Sequence, residues 1–400
     1  MQRVIVVGAG QAGASLVAKL RNLGYEGQIT LIGAEPVPPY QRPPLSKAYL
    51  LGEMALERLF LRPESFYADH NVILHLGRPV RSIDRLARTI QLDEETLSYD
   101  ALVLTTGSHP RRLPALIGGA LPGVHVVRDL ADVDAMAPEF APDRRVVIVG
   151  GGYIGLEAAA VAAKKGLKVT VLEMASRILQ RVAAPETSDA IRDLHTDHGV
   201  RIREGVGLER IDGSERVSGV TLSDGTSLAA DFVIAGIGIT PASELAEAAG
   251  LVLDNGIMTD AQGRTSDPHI WAAGDCASFP WRGERLRLES VQNAIDQAEL
   301  VAENLLGAGK EYAPVPWFWS DQYDLKLQIA GLNTGYDHVV VRSNDARSHW
   351  YFAGDKLLAV DALNDPRAFM VGKRLLEAGR SPDPAVLADP ATDLKTLLRA

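Results

Sequence analysis

The sequence predicts an α/β fold in which one βαβ module is nested inside another, followed by a smaller α+β domain. Two observations carry the nesting and a third carries the tail. The strings Gly8-Ala9-Gly10-Gln11-Ala12-Gly13 and Gly150-Gly151-Gly152-Tyr153-Ile154-Gly155 each follow a short apolar run and open a helical pattern. The apolar run Ile270-Trp271-Ala272-Ala273 enters Gly274-Asp275 long after the second module, so the first sheet is expected to regain a strand there. Past Ala313-Pro314-Val315-Pro316, strand-like segments at 325–330, 338–342, 349–352 and 356–360 read as a separate α+β unit.

Each element follows from local chemistry. Residues 4–7 are continuously apolar, as a strand buried on both faces must be; a helix from about 13 to 22 and a strand at 28–32 complete the first βαβ unit. Residues 101–104 run into Thr105-Thr106-Gly107, and the Pro- and Gly-rich stretch 110–123 reads as a crossover. The second module repeats the first with a strand at 146–149, a helix at 153–165 and a strand at 168–173. A hairpin follows at 217–222 with its turn at Ser223-Asp224-Gly225, then a strand at 232–235 ending in Gly236-Ile237-Gly238, and a return near Thr240-Pro241. The expected domains are therefore 1–109 with 241–314, then 110–240, then 315–400.

Composition narrows the function. With 400 residues, 46% of them hydrophobic, the chain has material for two or three cores, and a net charge of −10 lacks the dominant basic field that nucleic acid or an anionic membrane needs. No apolar run reaches the roughly 18 residues of a membrane span. Residues 4–18 imitate a signal sequence, but their glycines sit at fingerprint spacing, so a cytoplasmic location is expected. The single cysteine, Cys276, fits a reducing compartment and leaves no intrachain disulfide to accept electrons. It reads as a small packing residue. His109, His195 and His198 lack the spacing of a zinc site, and no metal is expected.

A glycine-rich turn lets backbone N–H groups approach a pyrophosphate, and the positive helix N-terminus behind it favours that anion. Two such turns imply two dinucleotides. Glu35 stands 22 residues after Gly13 at the end of the second strand, where a carboxylate accepts hydrogen bonds from a ribose diol; its plain alternative is a solvated loop acid. Glu173 closes the corresponding strand of the second module, which suits the free 2′-hydroxyl of NADH and repels the 2′-phosphate of NADPH, although Arg177 and Arg181 lie downstream. Gly274-Asp275 offers a further acid at a strand end for a sugar-like hydroxyl, or a helix N-cap.

The order of GAGQAG, GGGYIGLE and TSDPHIWAAGD resembles the two-dinucleotide flavoprotein reductases, with FAD on the first module and NAD(P)H on the second. Pro39-Tyr40-Gln41-Arg42-Pro43-Pro44-Leu45-Ser46-Lys47, Arg287-Leu288-Glu289-Ser290-Val291-Gln292-Asn293-Ala294 and Pro316-Trp317-Phe318-Trp319-Ser320-Asp321-Gln322 resemble one branch of that group. That branch is the FAD-dependent ferredoxin reductases serving cytochrome P450 and aromatic-ring dioxygenase systems. The resemblance runs almost end to end and implies a glutathione-reductase-like architecture.

Carried over residue by residue, the resemblance implies that Gly8, Gly10, Ala12, Gly13, Glu35, Arg42, Lys47, Val80, Arg128, Gly274, Asp275 and Val291 surround FAD. It likewise implies that Gly150, Gly152, Ile154, Gly155, Glu157, Glu173, Arg181 and Gly238 surround NADH. Val80 has no side-chain chemistry to offer, and its plain alternative is a core valine. Val291 would offer a backbone N–H to the flavin carbonyl edge. Lys47 and Glu157 resemble an ion pair that orients the nicotinamide, against the plain alternatives of a surface lysine and a first-turn helix acid. Trp319 either shields the flavin or is ordinary core.

The resemblance further implies a [2Fe-2S] ferredoxin as partner, a monomer or weak homodimer, and a docking face including Arg287, Lys326, Lys373 and Lys395. Those four are equally readable as solvated charges in a nearly neutral C-terminal region. Thioredoxin- and glutathione-reductase types need paired cysteines, and the peroxide- or coenzyme-A-disulfide-reducing branch needs one near position 42; residues 40–47 contain none. Two alternatives stay open: a signalling or assembly flavoprotein of the apoptosis-inducing-factor type, and a quinone or dioxygen reductase.

Overall fold

The apolar run before each glycine fingerprint becomes the central strand of a five-stranded parallel sheet. The computed structural model describes residues 1–343 and 346–399. Two compact units result, one of residues 1–41, 55–109 and 239–314, the other of residues 42–54, 110–238 and 315–400.

In the first unit the strand order is Ile270–Ala272, Ala101–Leu104, Arg3–Val7, Gln28–Ile32, Val72–His75, all parallel. The run at 270–272 therefore does return to the first sheet, beside Ala101–Leu104. Side chains of Arg3–Val7 alternate between two cores. Val4 and Val6 face helix Gln11–Asn22, through Leu16 and Leu20, and helix Val291–Leu305, through Ala298 and Val301. Ile5 and Val7 face the opposite core with Leu102, Leu104, Ile90 and Cys276. Lys19 ties the two helices together, 3.2 Å from Glu299 and 3.0 Å from Glu303.

The second unit contains the sheet Arg201–Glu204, Lys168–Glu173, Arg145–Val149, Phe232–Ala235, Val124–His125, again parallel. Its first four strands repeat the winding of the other sheet, but its fifth comes from before the module rather than after it. The same unit holds a five-stranded antiparallel sheet in the order Trp317–Gln322, Leu325–Gly331, Lys356–Leu363, Arg347–Ala353, His338–Ser343. Helix Pro366–Glu377, N-capped by Asp365, closes one face over Trp350, Phe352 and Val360.

Two boundaries differ from the sequence reading. Residues 42–54 belong with the second unit, because Ser46 and Lys47 bond Glu157 and the Lys165 ammonium donates to the Leu51 carbonyl. Regions 110–238 and 315–400 fall within the same unit, where strand Trp317–Gln322 packs on helix Tyr153–Lys164, while 315–400 keeps a sheet and a core of its own. The first fingerprint helix starts at Gln11 rather than 13, with Gly10 at its N-cap. Among the described residues, no helix is long and apolar enough to cross a membrane.

Candidate functional site

Each unit builds its own cradle at the mouth of a fingerprint. In the first, Gly8 adopts φ +117°, and a Cβ there would stand 2.1 Å from the Thr105 carbonyl oxygen; at Gly13 it would stand 2.1 Å from the Gly8 carbonyl oxygen. Only glycine lets loop, helix and neighbouring strand approach this closely. A Cβ at Gly10, by contrast, meets nothing within 4 Å, and no side chain caps the helix that Gly10 begins. The first-turn N–H groups thus face a gap at the positive end of a 12-residue helix, which fits a pyrophosphate.

Around that gap Glu35 accepts from the Tyr40 hydroxyl at 2.5 Å, and Asp275 accepts from the Ser108 hydroxyl at 2.9 Å. The Gly274 N–H donates to Gln297 at 2.8 Å, and the Ala12 methyl would lie 3.1 Å from a Cβ on Gly274. Ser290 N-caps helix Val291–Leu305, which makes Val291 its first residue with an outward N–H. Val80 is buried in the core with Ile83 and Ile90, so its side chain takes the plain packing role.

The second cradle repeats the first. Gly150 has φ +109°, a Cβ at Gly155 would sit 2.2 Å from the Gly150 carbonyl oxygen, and Gly152, the uncapped N-cap of helix Tyr153–Lys164, faces open space. Ile154 is exposed on the first turn. The Glu173 carboxylate accepts from the Gly151 N–H and the Ala175 N–H, both at 2.8 Å, which fixes the acid against the glycine loop. Gly238 accepts from the Arg111 N–H at 2.9 Å. The Arg177 guanidinium donates to the Ser188 hydroxyl at 2.5 Å and to the Gln180 carbonyl, whereas Arg181 is exposed on the surface.

The same unit assembles a buried ionic cluster. Pro43 and Pro44 open a short 3-10 turn that delivers Ser46 and Lys47 to Glu157 on helix Tyr153–Lys164. The Lys47 ammonium stands 2.8 Å from Glu157 Oε2, to which the Ser46 hydroxyl donates at 3.0 Å. Ser320 donates to Oε1 at 2.7 Å, so Glu157, only 3% exposed, receives three donors. A buried carboxylate persists only with such compensation. Arg42 also lies in this unit and donates to the Arg128 main-chain carbonyl at 2.8 Å, which ties the 42–54 segment to the strand-to-helix loop before Leu130.

Strand Trp317–Gln322 divides by parity. Phe318, Ser320 and Gln322 face the fingerprint module, where the Phe318 ring packs at a tilt against Tyr153, 5.0 Å between centroids. Trp317 and Trp319, 5.6 Å apart, take the other face, with Lys373 5.4 Å above Trp317. Of the four docking candidates, Lys326 and Lys395 are exposed, and Lys373 is half-buried beside Glu377 at 3.6 Å. Arg287 is corrected: its side chain is 8% exposed and spends its donors on the Asp275 carbonyl at 3.0 Å and Glu289 at 2.6 Å, so it braces the Gly274-Asp275 loop. Sequence reading missed Ser46, Ser320 and Gln322; strand alternation through Phe318-Trp319-Ser320-Asp321-Gln322 was the available signal.

Buried imidazoles give this unit a pH signature. Burial lowers His195 and His349 to about 4, while burial raises Asp361 to about 6 against the opposing bonds from Tyr351 and Thr187. Between about pH 4 and 6.5 the unfolded chain binds two imidazole protons that the folded chain refuses, so stability is lost as pH falls. Asp361 works oppositely, since below about pH 6 the folded chain keeps a proton the unfolded chain releases. Two groups outweigh one. From pH 7.5 to 5.0 the unit is expected to lose about 3 kcal/mol and melt roughly 6–12 °C lower in calorimetry. An unchanged melting temperature would count against neutral buried imidazoles.

Comparison with known proteins bears on both units. The family model described as pyridine nucleotide-disulphide oxidoreductase matches residues 2–298, and the one described as reductase C-terminal matches residues 317–398. The chain is 44% identical to rhodocoxin reductase of Rhodococcus erythropolis, over 98% of this chain and 93% of that one. It is 43% identical to putidaredoxin reductase of Pseudomonas putida, over 99% and 97%. Among solved structures, the covalent putidaredoxin reductase–putidaredoxin complex superposes with a TM-score of 0.96 at 41% identity, covering all of this chain and 98% of that one.

Proposed function

Because the chain belongs to the pyridine nucleotide-disulphide oxidoreductase family, and is thereby an oxidoreductase using FAD and NAD(P)H, we propose that it is an NADH-dependent ferredoxin reductase. It passes electrons one at a time to a [2Fe-2S] ferredoxin that serves a P450 or a ring-hydroxylating oxygenase. The observation that carries this reading is a chain with two glycine cradles whose only cysteine, Cys276, is sealed in the first core. Its thiol, raised by burial, donates to the Leu104 and Ala273 carbonyls. No intrachain disulfide is therefore available to carry the electrons out.

Bound FAD supplies the conversion between two-electron nicotinamide chemistry and one-electron iron–sulfur chemistry. The protein binds and orients. The first cradle's N–H groups would hold the FAD pyrophosphate, Glu35 and Asp275 would accept sugar hydroxyls, and Val291 would offer its N–H to the flavin. In the second cradle Glu173 accepts ribose hydroxyls of NADH and repels a 2′-phosphate. Lys47, braced by Glu157, would donate to the nicotinamide amide and so orient it.

The test is anaerobic rapid mixing with NADH and then with a [2Fe-2S] ferredoxin, following flavin and iron–sulfur absorbance. Rapid one-electron delivery supports the reading. A reduced complex that persists in the presence of ferredoxin overturns it and favours a signalling flavoprotein. We assign docking to the C-terminal region, with Lys326 on strand Leu325–Gly331 and Lys395 on the 3-10 turn Leu394–Leu398 as its exposed cations. Changing Lys326 and Lys395 to glutamate is expected to slow ferredoxin turnover about tenfold at low salt, to converge with the parent at high salt, and to spare NADH oxidation. Turnover with an unaltered salt dependence would remove these lysines from the interface.

A further inference from the structure

Behind Glu157 the buried polar groups form a chain with one direction. Ser320, Gln322 and His195 are each at most 1% exposed. A carboxylate only accepts, so the Ser320 hydroxyl must spend its proton on Glu157 Oε1, 2.7 Å away. Ser320 Oγ is then an acceptor and takes a bond from the Gln322 amide nitrogen at 3.1 Å. That orientation turns Gln322 Oε1 toward His195 Nε2, at 2.7 Å, which must therefore carry hydrogen. The remaining nitrogen, Nδ1, is left to accept from the Tyr323 hydroxyl at 3.3 Å. Every donor in the sequence Tyr323, His195, Gln322, Ser320 points toward Glu157.

We propose that Ser320, Gln322 and His195 are positioning residues, a one-way hydrogen-bond relay that holds the Glu157 carboxylate in register with Lys47 for the nicotinamide step. The inference rests on the reading that Lys47 and Glu157 orient the nicotinamide. Reversing any link would set two acceptors or two donors face to face in a dry interior, so the charge on Glu157 dictates the tautomer of an imidazole three bonds away. Neutrality of His195 is part of the same design, since an imidazolium would donate from both nitrogens and turn the Tyr323 hydroxyl around.

The relay is tested by nitrogen-15 NMR of histidine-labelled holoprotein, with His195 assigned by its loss in His195→Asn. The parent is expected to show only the Nε2–H tautomer between pH 6 and 8. Ser320→Ala removes the demand on the Gln322 amide, which then turns freely, and His195 is expected to populate both tautomers. The same variant and Gln322→Leu are expected to slow NADH reduction of the flavin about tenfold with FAD content unchanged. An Nδ1–H tautomer in the parent, or one tautomer retained in Ser320→Ala, overturns the relay. Glu157→Gln separates the layers, with a slowing of about a hundredfold expected. If that variant is slow while Ser320→Ala and Gln322→Leu run at the parent rate, the relay alone falls. If Glu157→Gln itself runs at the parent rate, the nicotinamide role of the pair falls, and the relay's purpose with it.

Discussion

Replacing Gly155 with valine is expected to yield a protein that keeps its flavin but is no longer reduced by NADH. The residue lies where helix Tyr153–Lys164 leaves the glycine loop, and a Cβ there would stand 2.2 Å from the Gly150 carbonyl oxygen and 3.4 Å from Ile148. The far side is no roomier, since a Cβ built on the neighbouring Gly236 already lies 3.3 Å from the Gly155 Cα. Valine must push the helix off the loop, and the first-turn N–H groups move with it. A displacement of about 1 Å in a positioning element costs on the order of a hundredfold in rate, and losing the pyrophosphate site costs binding as well. Anaerobic mixing with millimolar NADH should leave the flavin oxidised, whereas chemical reduction should still allow electrons to reach ferredoxin. Ordinary bleaching by NADH would show that the second cradle does not hold the nicotinamide coenzyme.

Gly8→Val is expected to produce colourless protein. Two faults coincide there: φ of +117° is closed to a branched residue, and the Cβ would overlap the Thr105 carbonyl at 2.1 Å. Thr105 cannot withdraw easily, because its hydroxyl donates to the Gly8 carbonyl at 2.8 Å and its N–H to the Val7 carbonyl at 2.8 Å. The strain amounts to about 3 kcal/mol or more, taken from the loop that should meet FAD. Isothermal titration should still find NADH bound by the second cradle, whose glycines are untouched. A yellow, flavin-replete variant would contradict the assignment of FAD to the first.

The parts of this molecule legible in its sequence are those set by neighbours along the chain. Strand, glycine turn and helix are local, so Gln28–Ile32, Lys168–Glu173 and Phe232–Ala235 fall where hydrophobic runs put them, and Glu35 and Glu173 are found by counting from the glycines. The pairing of Lys47 with Glu157 spans 110 positions and is visible only through resemblance to a family. Ser320 and Gln322 escape even that, because a serine or glutamine shows its worth only once a buried carboxylate is placed beside it. Arg287 misleads for the converse reason. A cation in a sequence carries no record of its exposure, and here a backbone carbonyl and Glu289 draw it inward. Val80 carries even less signal, and its surroundings alone decide its role.

Strand Trp317–Gln322 has a consequence for how such a protein diversifies. Its even-numbered side chains address the second fingerprint module and its odd-numbered aromatics the opposite side, Trp317 against Phe369 of the C-terminal core, so a substitution at 319 can change one side while leaving 318, 320 and 322 undisturbed. An insertion or deletion of a single residue would exchange the two sets wholesale. Lineages carrying this strand should therefore vary one side by point substitution at alternate positions, with the length of the strand held constant.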